Sequence, residues 1–241
     1  MGRPPRPLPH AAAHAFVADL GAPALDDDDR HHLERVLRLQ SGQAVTVSDG
    51  RGGWRLCAWG AGGRLDPAGP EELEEEPDPP VTVAFALTKG ERPEWVVQKL
   101  TEVGVDRIVP FRAARSVVRW DDDKAAVQAE RWRRVAHQAS MQSRRARLPE
   151  VTAVAGFADM VARCGAAAAM ATPGGAPPSL DRPTLLVGPE GGWDEGELHC
   201  GLPGVGLGPT VLRAETAAVA GAVVLCGLRS GTVREMQGRE K

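Results

Sequence analysis

The sequence contains no long apolar run. No stretch approaches the roughly 20 apolar residues that a membrane-spanning helix needs, and the apolar fraction of 42% is ordinary for a soluble protein. The N-terminal stretch MGRPPRPLPHAAAHAF contains arginines, but its apolar part is too short for a secretory signal peptide. These absences predict a soluble, cytoplasmic protein with no membrane partner.

Cysteine is scarce and dispersed. Cys57, Cys164, Cys200 and Cys226 lie far apart, and no Cys-x-x-Cys pair occurs. Zinc sites and disulfide frameworks both use more closely organised cysteines. The adjacent pair His31 and His32 is no better as a metal site, because neighbouring residues on a helix point in different directions. We therefore expect free thiols that mostly contribute to packing, and no metal.

A glycine-rich stretch lacks the lysine of a phosphate-binding loop. It reads LLVGPEGGWDEGEL, Leu185–Leu198, and it carries Glu190, Asp194 and Glu195 but no cation. Glycine permits close approach of the backbone to a ligand, so we expect a ligand that is neutral or positively charged where it meets the loop. The alternative is an ordinary strand-to-helix turn in which Asp194 caps the helix.

A second glycine loop follows closely, in GVGLGP at Gly204–Pro209. Its spacing is G-x-G-x-G rather than the G-x-G-x-x-G of a dinucleotide site, and too little chain follows for a βαβ unit. Both loops come directly after predicted strands, and ligands of parallel sheets bind at the carboxyl ends of strands. Together the loops predict a crevice of backbone groups and small apolar side chains, suited to a flat heterocycle with a polar edge.

The chain shows two patterns on either side of an acidic, proline-rich segment, Arg64–Val81. Before it, QAVTVSDGRGGWRLCAWG predicts a β-hairpin, and DDRHHLERVLRLQSG predicts a short helix that ends at Gly42. After it, strands alternate with helices, which predicts a mainly parallel sheet covered on both faces. We expect a β-rich domain at residues 1–70, a linker at 71–80 and an α/β domain at 81–241.

The net charge of −3 conceals a segregation of charge along the chain. The segment ERWRRVAHQASMQSRRARLP sets six arginines against a single acid, Glu130, and Trp132 and His137 lie nearby. This composition predicts a strip that faces nucleic acid, with a solvated helix face as the alternative.

The last predicted helix, in RAETAAVAGAVVLCGLRSG, is small or apolar nearly all round from Ala217 to Cys226. It is too short to span a membrane, so almost every side of it must be covered. Either it is the central core helix, or it packs on a second subunit. We favour the second interpretation, because the last helix of a chain is seldom enclosed by its own domain alone.

Several motifs, taken in order, resemble those of one family. LLVGPEGGWDEGEL followed by VGLGPTVLRAETAAVAG resembles the paired cofactor loops of the RsmE family, which are ribosomal RNA uridine N3-methyltransferases of the SPOUT class. ALTKGERPEWVVQKLTEVGVDRIVPF resembles the family's first strand and helix, and QSRRARLPEV resembles its basic motif. HHLERVLRLQSGQAVTVSDG resembles its N-terminal PUA-like domain. The resemblance covers nearly the whole chain, although Pro209, Thr210 and Ala214 depart from the family pattern.

The resemblance implies an α/β fold of the SPOUT type, with a trefoil-knotted, mainly parallel sheet and a small N-terminal β-rich PUA-like domain that binds RNA. It implies S-adenosylmethionine as the methyl donor, and N3 of a uridine in 16S ribosomal RNA of the small subunit as the methylated atom. It also implies a homodimer whose cofactor site lies by the subunit interface. The rival functions are a non-catalytic RNA-binding protein and a SPOUT methyltransferase that acts on transfer RNA.

The resemblance implies cofactor contacts from both glycine loops and from the strand and helix beside them. The expected residues are Met170, Ala171, Gly188, Pro189, Glu190, Gly191, Leu207, Gly208, Leu212, Arg213 and Thr216. A sulfonium is cationic, which agrees with a loop that bears Glu190 and no lysine.

Three charged residues are candidates for catalysis. Glu190 or Glu215 is expected to take the N3 proton, and Arg213 to stabilise the negative charge that develops on the base. Each has a structural alternative: Glu190 accepts loop N–H bonds, Glu215 stabilises the start of the last helix, and Arg213 pairs with a carboxylate.

RNA contacts are expected from the arginine-rich segment and from the PUA-like domain. The expected residues are Arg35, Arg38, Arg131, Gln142, Arg145 and Arg147.

Overall fold

A computed structural model describes residues 8–234 of the chain, so the first seven residues, which begin the stretch considered for a signal peptide, lie outside the described part. Within that part the chain forms two compact units, one of residues 8–77 and 137–148, the other of residues 78–136 and 149–234. The break after residue 77 falls inside the expected linker at 71–80. The return of 137–148 to the first unit was not expected from the sequence.

The first unit is built on a four-stranded sheet in the order β1-β2-β3-β4. Its strands are β1 (Ala13–Phe16), β2 (Ala44–Ser48), β3 (Gly53–Trp59) and β4 (Leu65–Leu73). β2 and β3 form the predicted antiparallel hairpin, and β1 pairs with β2 in parallel. Alternate residues of the hairpin, Val45, Val47 and Cys57, are fully buried in the core of this unit.

The prediction of a linker from Arg64 onward was wrong for its first part, because Leu65–Leu73 is strand β4. Leu65 is buried, while most of the strand beyond it is exposed. β4 is an edge strand, and such a strand tolerates Pro67 and Pro70 because only one of its sides must supply hydrogen bonds to the sheet. Sparse apolar content therefore did not exclude this segment from a sheet.

The helix predicted to reach Gly42 is shorter and less regular. α1 (Asp27–His31) is capped by Asp26, whose side chain accepts from the Asp29 N–H at 2.7 Å. It continues as one π-helical segment, His32–Val36, and ends there. Arg38 then adopts a left-handed backbone with φ 52°, which no helix interior permits.

The second unit contains a parallel sheet in the order β11-β9-β10-β5-β6-β7, with β8 also paired to β6. Its strands are β5 (Thr82–Ala86), β6 (Arg107–Arg112), β7 (Glu150–Val151), β8 (Ala155–Gly156), β9 (Ala168–Ala176), β10 (Thr184–Val187) and β11 (Gly204–Val205). Every pairing between these strands is parallel, as the strand-helix alternation predicted. The trefoil knot implied by the family resemblance stays a prediction.

Both faces of this sheet are covered. The helices that follow the first in chain order are α2 (Arg92–Val103), α3 (Asp122–Ser143), α4 (Phe157–Cys164), α5 (Glu195–Leu198) and α6 (Ala214–Ser230). Side chains alternate along β5, so that Val83 and Phe85 pack with α2 and α6 residues in one buried cluster. Ala84 and Ala86 pack in a second cluster with Met160 of α4.

The last helix, α6, is covered by its own domain on one face, and the packing on a second subunit that the sequence favoured stays a prediction for its other face. Ala218, Ala222 and Leu225 are buried, and the helix contacts α2, β5 and β10. The other face is open, and Val223 is 49% exposed. Of the helices between residues 8 and 234, none combines the length and the apolar character that crossing a membrane requires.

Candidate active site

The two glycine loops line one cleft, as predicted. β10 ends at Val187 and leads directly into the first loop, and β11 ends at Val205 and leads into the second. Between them lies a cavity of about 190 Å³ that is open to one side. It lies within the second unit, at the carboxyl ends of parallel strands.

Most of the residues expected to bind the cofactor lie on the wall of this cleft. They are Ala171, Gly188, Pro189, Glu190, Leu207, Gly208 and Leu212. Four others do not lie on the wall. Met170 is buried in the core on the α4 side of the sheet, because neighbouring residues of β9 face opposite sides, and Gly191 instead faces Arg115. Arg213 and Thr216 are exposed at the start of α6.

The wall also contains residues that sequence reasoning missed. These are Thr172, Pro173, Val187, Gly192, Trp193, Val205, Thr210, Val211, Ala214 and Ala217. Nearly all are sequence neighbours of the residues that were predicted, so that extending each loop by two positions finds them.

Trp193 determines the shape of the first loop. Its indole Nε1 donates a hydrogen bond to the Ala171 carbonyl at 3.0 Å, and its ring stacks on Phe111 with 6.1 Å between centroids. A Cβ atom at position 188 would lie 2.9 Å from the indole ring, so only Gly188 allows this close packing. The second loop has a similar requirement, since Gly208 has φ 143°, a conformation that side chains rarely adopt.

The first loop ends in a capped helical turn. Asp194 accepts a hydrogen bond from the Gly196 N–H at 3.1 Å, and the Glu197 carboxylate accepts from the Asp194 N–H at 2.9 Å. The buried Glu197 also accepts from the Ala114 N–H at 2.8 Å. The alternative prediction that Asp194 is an N-cap is therefore confirmed, and the same segment also forms one wall of the cleft.

Arg92, at the start of α2, pairs with both candidate carboxylates. Its Nη1 donates to Glu190 Oε1, and its Nε lies 3.8 Å from Glu215 Oε1. The Glu215 side chain is 15% exposed, and its Oε2 is buried with no hydrogen-bond partner among the described residues. Sequence reasoning missed Arg92; the signal was its place after β5, which pairs directly with β10.

The residues expected to contact RNA are divided between the two units. Arg131 belongs to the second unit and forms an ion pair with Glu94. Arg147 is in the first unit, and its Nη2 donates to the Glu74 carbonyl at 2.6 Å. Arg145 is half-buried. The exposed candidates of the first unit are Arg35, Arg38 and Gln142.

Trp132 is not available to stack on RNA bases, so the inference drawn from its position in the arginine-rich segment was wrong. It is 1% exposed and packs against Trp120 and Phe85 in the core of the second unit. On an amphipathic helix that is mostly charged, a tryptophan usually belongs to the apolar stripe that packs on the core.

The four cysteines are free thiols, as expected from their spacing. Among residues 8–234, no three His, Cys, Asp or Glu side chains converge as metal ligands would. His31 and His32 are both exposed.

The parallel α/β sheet with paired loops at its carboxyl edge, and the four-stranded unit, belong to a protein of the RNA methyltransferase class, as two family matches show. The RNA methyltransferase domain family matches residues 74–225, and the RNA methyltransferase PUA domain family matches residues 25–58. These matches confirm the predicted fold class and the PUA-like character of the N-terminal domain.

Individual relatives narrow the class. The chain is 36% identical to ribosomal RNA small subunit methyltransferase E of Mycobacterium bovis, over 84% of this chain and 85% of the relative. It is 31% identical to the same enzyme of Bacillus subtilis, over 80% and 85%. The crystal structure of the Neisseria gonorrhoeae enzyme bound to S-adenosyl methionine is 25% identical and superposes over 90% of this chain and 97% of that one, with a TM-score of 0.74. The chain belongs to the ribosomal RNA small subunit methyltransferase E (RsmE) family.

Proposed function

We propose that the protein transfers a methyl group from S-adenosylmethionine to N3 of a uridine in 16S ribosomal RNA of the small subunit. The observation that carries this proposal is the cleft between the two glycine loops, with Glu190 on its wall, in a chain of this family. The S-adenosyl methionine bound to the Neisseria relative supports the choice of cofactor.

The residues of the cleft fit this cofactor. Val187, Leu207 and Leu212 offer apolar contact to a flat adenine ring, and Glu190 places a carboxylate where a sulfonium cation is favoured. The glycines allow the backbone to approach closely. When bound, the cofactor supplies an electrophilic methyl group.

The protein's own task is to position the uracil and to remove its N3 proton. Glu190 and Glu215 are the proposed proton acceptors, and Arg213 is the proposed stabiliser of the negative charge on the base. Arg213 is exposed at the N-cap of α6, two residues before Glu215. Because the two residues are so close in sequence, both could act on the same uracil.

The first unit is proposed to hold RNA through Arg35, Arg38, Gln142 and Arg145. The sequence predicted this domain at 1–70, and the first unit also contains residues 137–148, which include the arginines of the basic motif. Arginine contacts to phosphate would position the substrate without reading its sequence.

The proposed homodimer uses the open face of α6. Val223 on this face is 49% exposed, and Val211 in the adjoining loop on the cleft wall is 87% exposed. Large exposed apolar side chains beside a ligand cleft are typical of an interaction surface. A second subunit at this position would lie next to the cofactor.

Nucleoside mass spectrometry tests the proposal. Ribosomal RNA from cells with and without the gene is digested, and N3-methyluridine is measured separately in 16S and transfer RNA. We expect the modified nucleoside to disappear from 16S RNA alone. Loss from transfer RNA would favour the SPOUT rival, and unchanged RNA with no binding of S-adenosylmethionine would favour a non-catalytic RNA-binding protein.

A further inference from the structure

The guanidinium of Arg92 lies between two carboxylates from different elements. Glu190 belongs to the loop after β10, and Glu215 belongs to the first turn of α6. Arg92 itself is the first residue of α2. The Arg92 side chain, on the helix that follows β5, thus contacts both the cofactor loop and the last helix.

The two carboxylates differ in their exposure and in which oxygen atoms have partners. Glu190 lies on the cleft wall with its side chain 37% exposed, and its Oε1 accepts from Arg92. Glu215 is 15% exposed, with Oε1 towards Arg92 and Oε2 buried without a partner in the described part of the chain. A buried acceptor without a donor is unfavourable, so Glu215 Oε2 is the oxygen that a bound donor would satisfy.

A second unsatisfied atom lies at the same edge of the sheet. Thr88 follows β5 and is 4% exposed, and its Oγ1 is also buried with no hydrogen-bond partner among residues 8–234. β5 pairs with β10, whose loop carries Glu190. Neither side chain lines the cleft itself, but Glu215 lies between Ala214 and Ala217 in the sequence, and both of these do, so a donor that enters there would satisfy a buried acceptor.

We propose that Arg92 is a positioning residue that directs Glu215 Oε2 towards the uracil, and that Glu215, not Glu190, accepts the N3 proton. This inference rests on the proposed function and assigns one of its two open roles. The N3–H bond breaks and the proton passes to Oε2, while the electron pair left on N3 forms the bond to the methyl carbon. The pair of the broken carbon–sulfur bond stays on sulfur, which becomes neutral.

Arg92 contributes in two ways. Its positive charge offsets the repulsion between two neighbouring carboxylates, and its contact with Oε1 leaves only Oε2 for the substrate. Glu190, more exposed and bound to the same guanidinium, acts as the anchor of the cofactor loop.

The test is single-turnover methylation of unmethylated small ribosomal subunits at saturating cofactor. We expect Arg92→Gln and Glu215→Gln each to lower the rate about 100-fold or more, the usual size of a general-base contribution. In a separate steady-state titration of cofactor, Glu190→Gln should chiefly raise the KM for S-adenosylmethionine. Lys99→Gln is the matched control, because it removes an ion-paired cation, bound to Glu102, from the same helix.

A double variant separates positioning from general structural support. If Arg92 acts through Glu215, Arg92→Gln with Glu215→Gln should be no slower than Glu215→Gln alone, within about threefold. Arg92→Lys should recover part of the rate, since lysine keeps the positive charge but lacks the several N–H donors of the guanidinium. Calorimetry should show wild-type cofactor affinity for Glu215→Gln, and for Arg92→Gln a loss no larger than that of Glu190→Gln, because both variants break the same ion pair. Melting curves should show that all the variants fold.

Several results would overturn the inference alone. The first is a fully active Glu215→Gln. The second is a double variant whose loss of rate equals the product of the two single losses. The third is a loss of cofactor affinity in Arg92→Gln as large as its loss of rate. A wild type that leaves every uridine N3 of 16S RNA unmethylated would instead overturn the proposed function, and the inference with it.

Discussion

The imidazole Nε2 of His14 lies 3.0 Å from the carbonyl oxygen of Arg145. Its Nδ1 lies 2.9 Å from the Thr46 hydroxyl, and the side chain is buried. A carbonyl only accepts, so Nε2 carries the hydrogen and Nδ1 accepts from Thr46. Burial, helped by the charge of nearby Arg144, lowers the pKa of His14 to about 4, although the hydrogen bonds to Arg145 and Thr46 oppose this shift.

This pKa predicts a loss of stability in acid. The unfolded histidine titrates near 6.5, so between pH 6.5 and 4 the unfolded state binds the extra proton and the free energy of unfolding falls as the pH falls. The contribution is complete above pH 6.5 and decreases by about 3 kcal/mol on reaching pH 4. Urea unfolding of the wild type and of His14→Gln across this range measures it. A variant with the same pH slope as the wild type would contradict the prediction.

Filling the cleft should prevent cofactor binding. Ala214 lies on the wall at the start of α6, where a larger side chain is compatible with the helix. We expect Ala214→Phe to weaken S-adenosylmethionine binding at least tenfold, about 1.4 kcal/mol, by occupying the site. Ala162→Phe on the exposed side of α4 is the control. Calorimetry that finds equal affinities in both variants would remove this cleft from the cofactor site.

The arginines of the first unit should separate into two groups. Arg35 and Arg38 are exposed, so Arg35→Gln with Arg38→Gln should reduce the slope of log K against log salt for RNA binding by roughly one per lost phosphate contact. Arg147→Gln should leave that slope nearly unchanged and instead lower stability by about 1–3 kcal/mol, since its bond to the Glu74 carbonyl is lost. Filter binding in a salt series, with melting curves, distinguishes them. A wild-type slope in the Arg35 and Arg38 variant would show that neither residue contacts phosphate.

Two faces of α6 should respond differently to a buried charge. Val223 is exposed, so Val223→Asp should leave the domain folded and give monomers if this face is the dimer interface. Ala218 is fully buried in its own domain, so Ala218→Asp should unfold it, because an unpaired carboxylate in the core is very unfavourable. Light scattering and melting curves report both. A monomeric wild type would refute the proposed dimer.

Arg213→Gln tests the stabiliser of the reacting base. An interaction that is strongest in the transition state appears mainly in turnover, so we expect the single-turnover rate to fall about 100-fold while the affinity for small subunits changes little. Rate and affinity falling together would make Arg213 an RNA-binding residue. An unchanged rate would remove it from the catalytic group.

The helices and strands of the second unit were largely predictable, because local sequence patterns indicate them. Val97 and Leu100 mark the buried face of α2, and Pro93 marks its start. The apolar run of β10 followed by glycines gave both the strand and the loop at its carboxyl end. Such signals depend on residues a few positions apart, so a single sequence contains them.

Predictions failed where one sequence pattern is compatible with two different structures. Leu65–Leu73 looked like a linker because it is acidic and proline-rich, yet an edge strand tolerates both features. Trp132 looked available for RNA, but on a helix one face can be charged while another is buried. The dimer contact expected of α6 stays untested: the helix is small or apolar nearly all round from Ala217 to Cys226, and only the folded chain shows which of its faces β5, β10 and α2 cover.

The sequence by itself determined the class of fold, the two glycine loops and the family, since each follows from the order and spacing of neighbouring residues. Only the tertiary structure decided which side chains meet. Arg92 and Glu190 are 98 residues apart and are brought together because β5 and β10 are adjacent in the sheet. The strand order that makes them adjacent results from long-range pairing and packing, which no local pattern encodes.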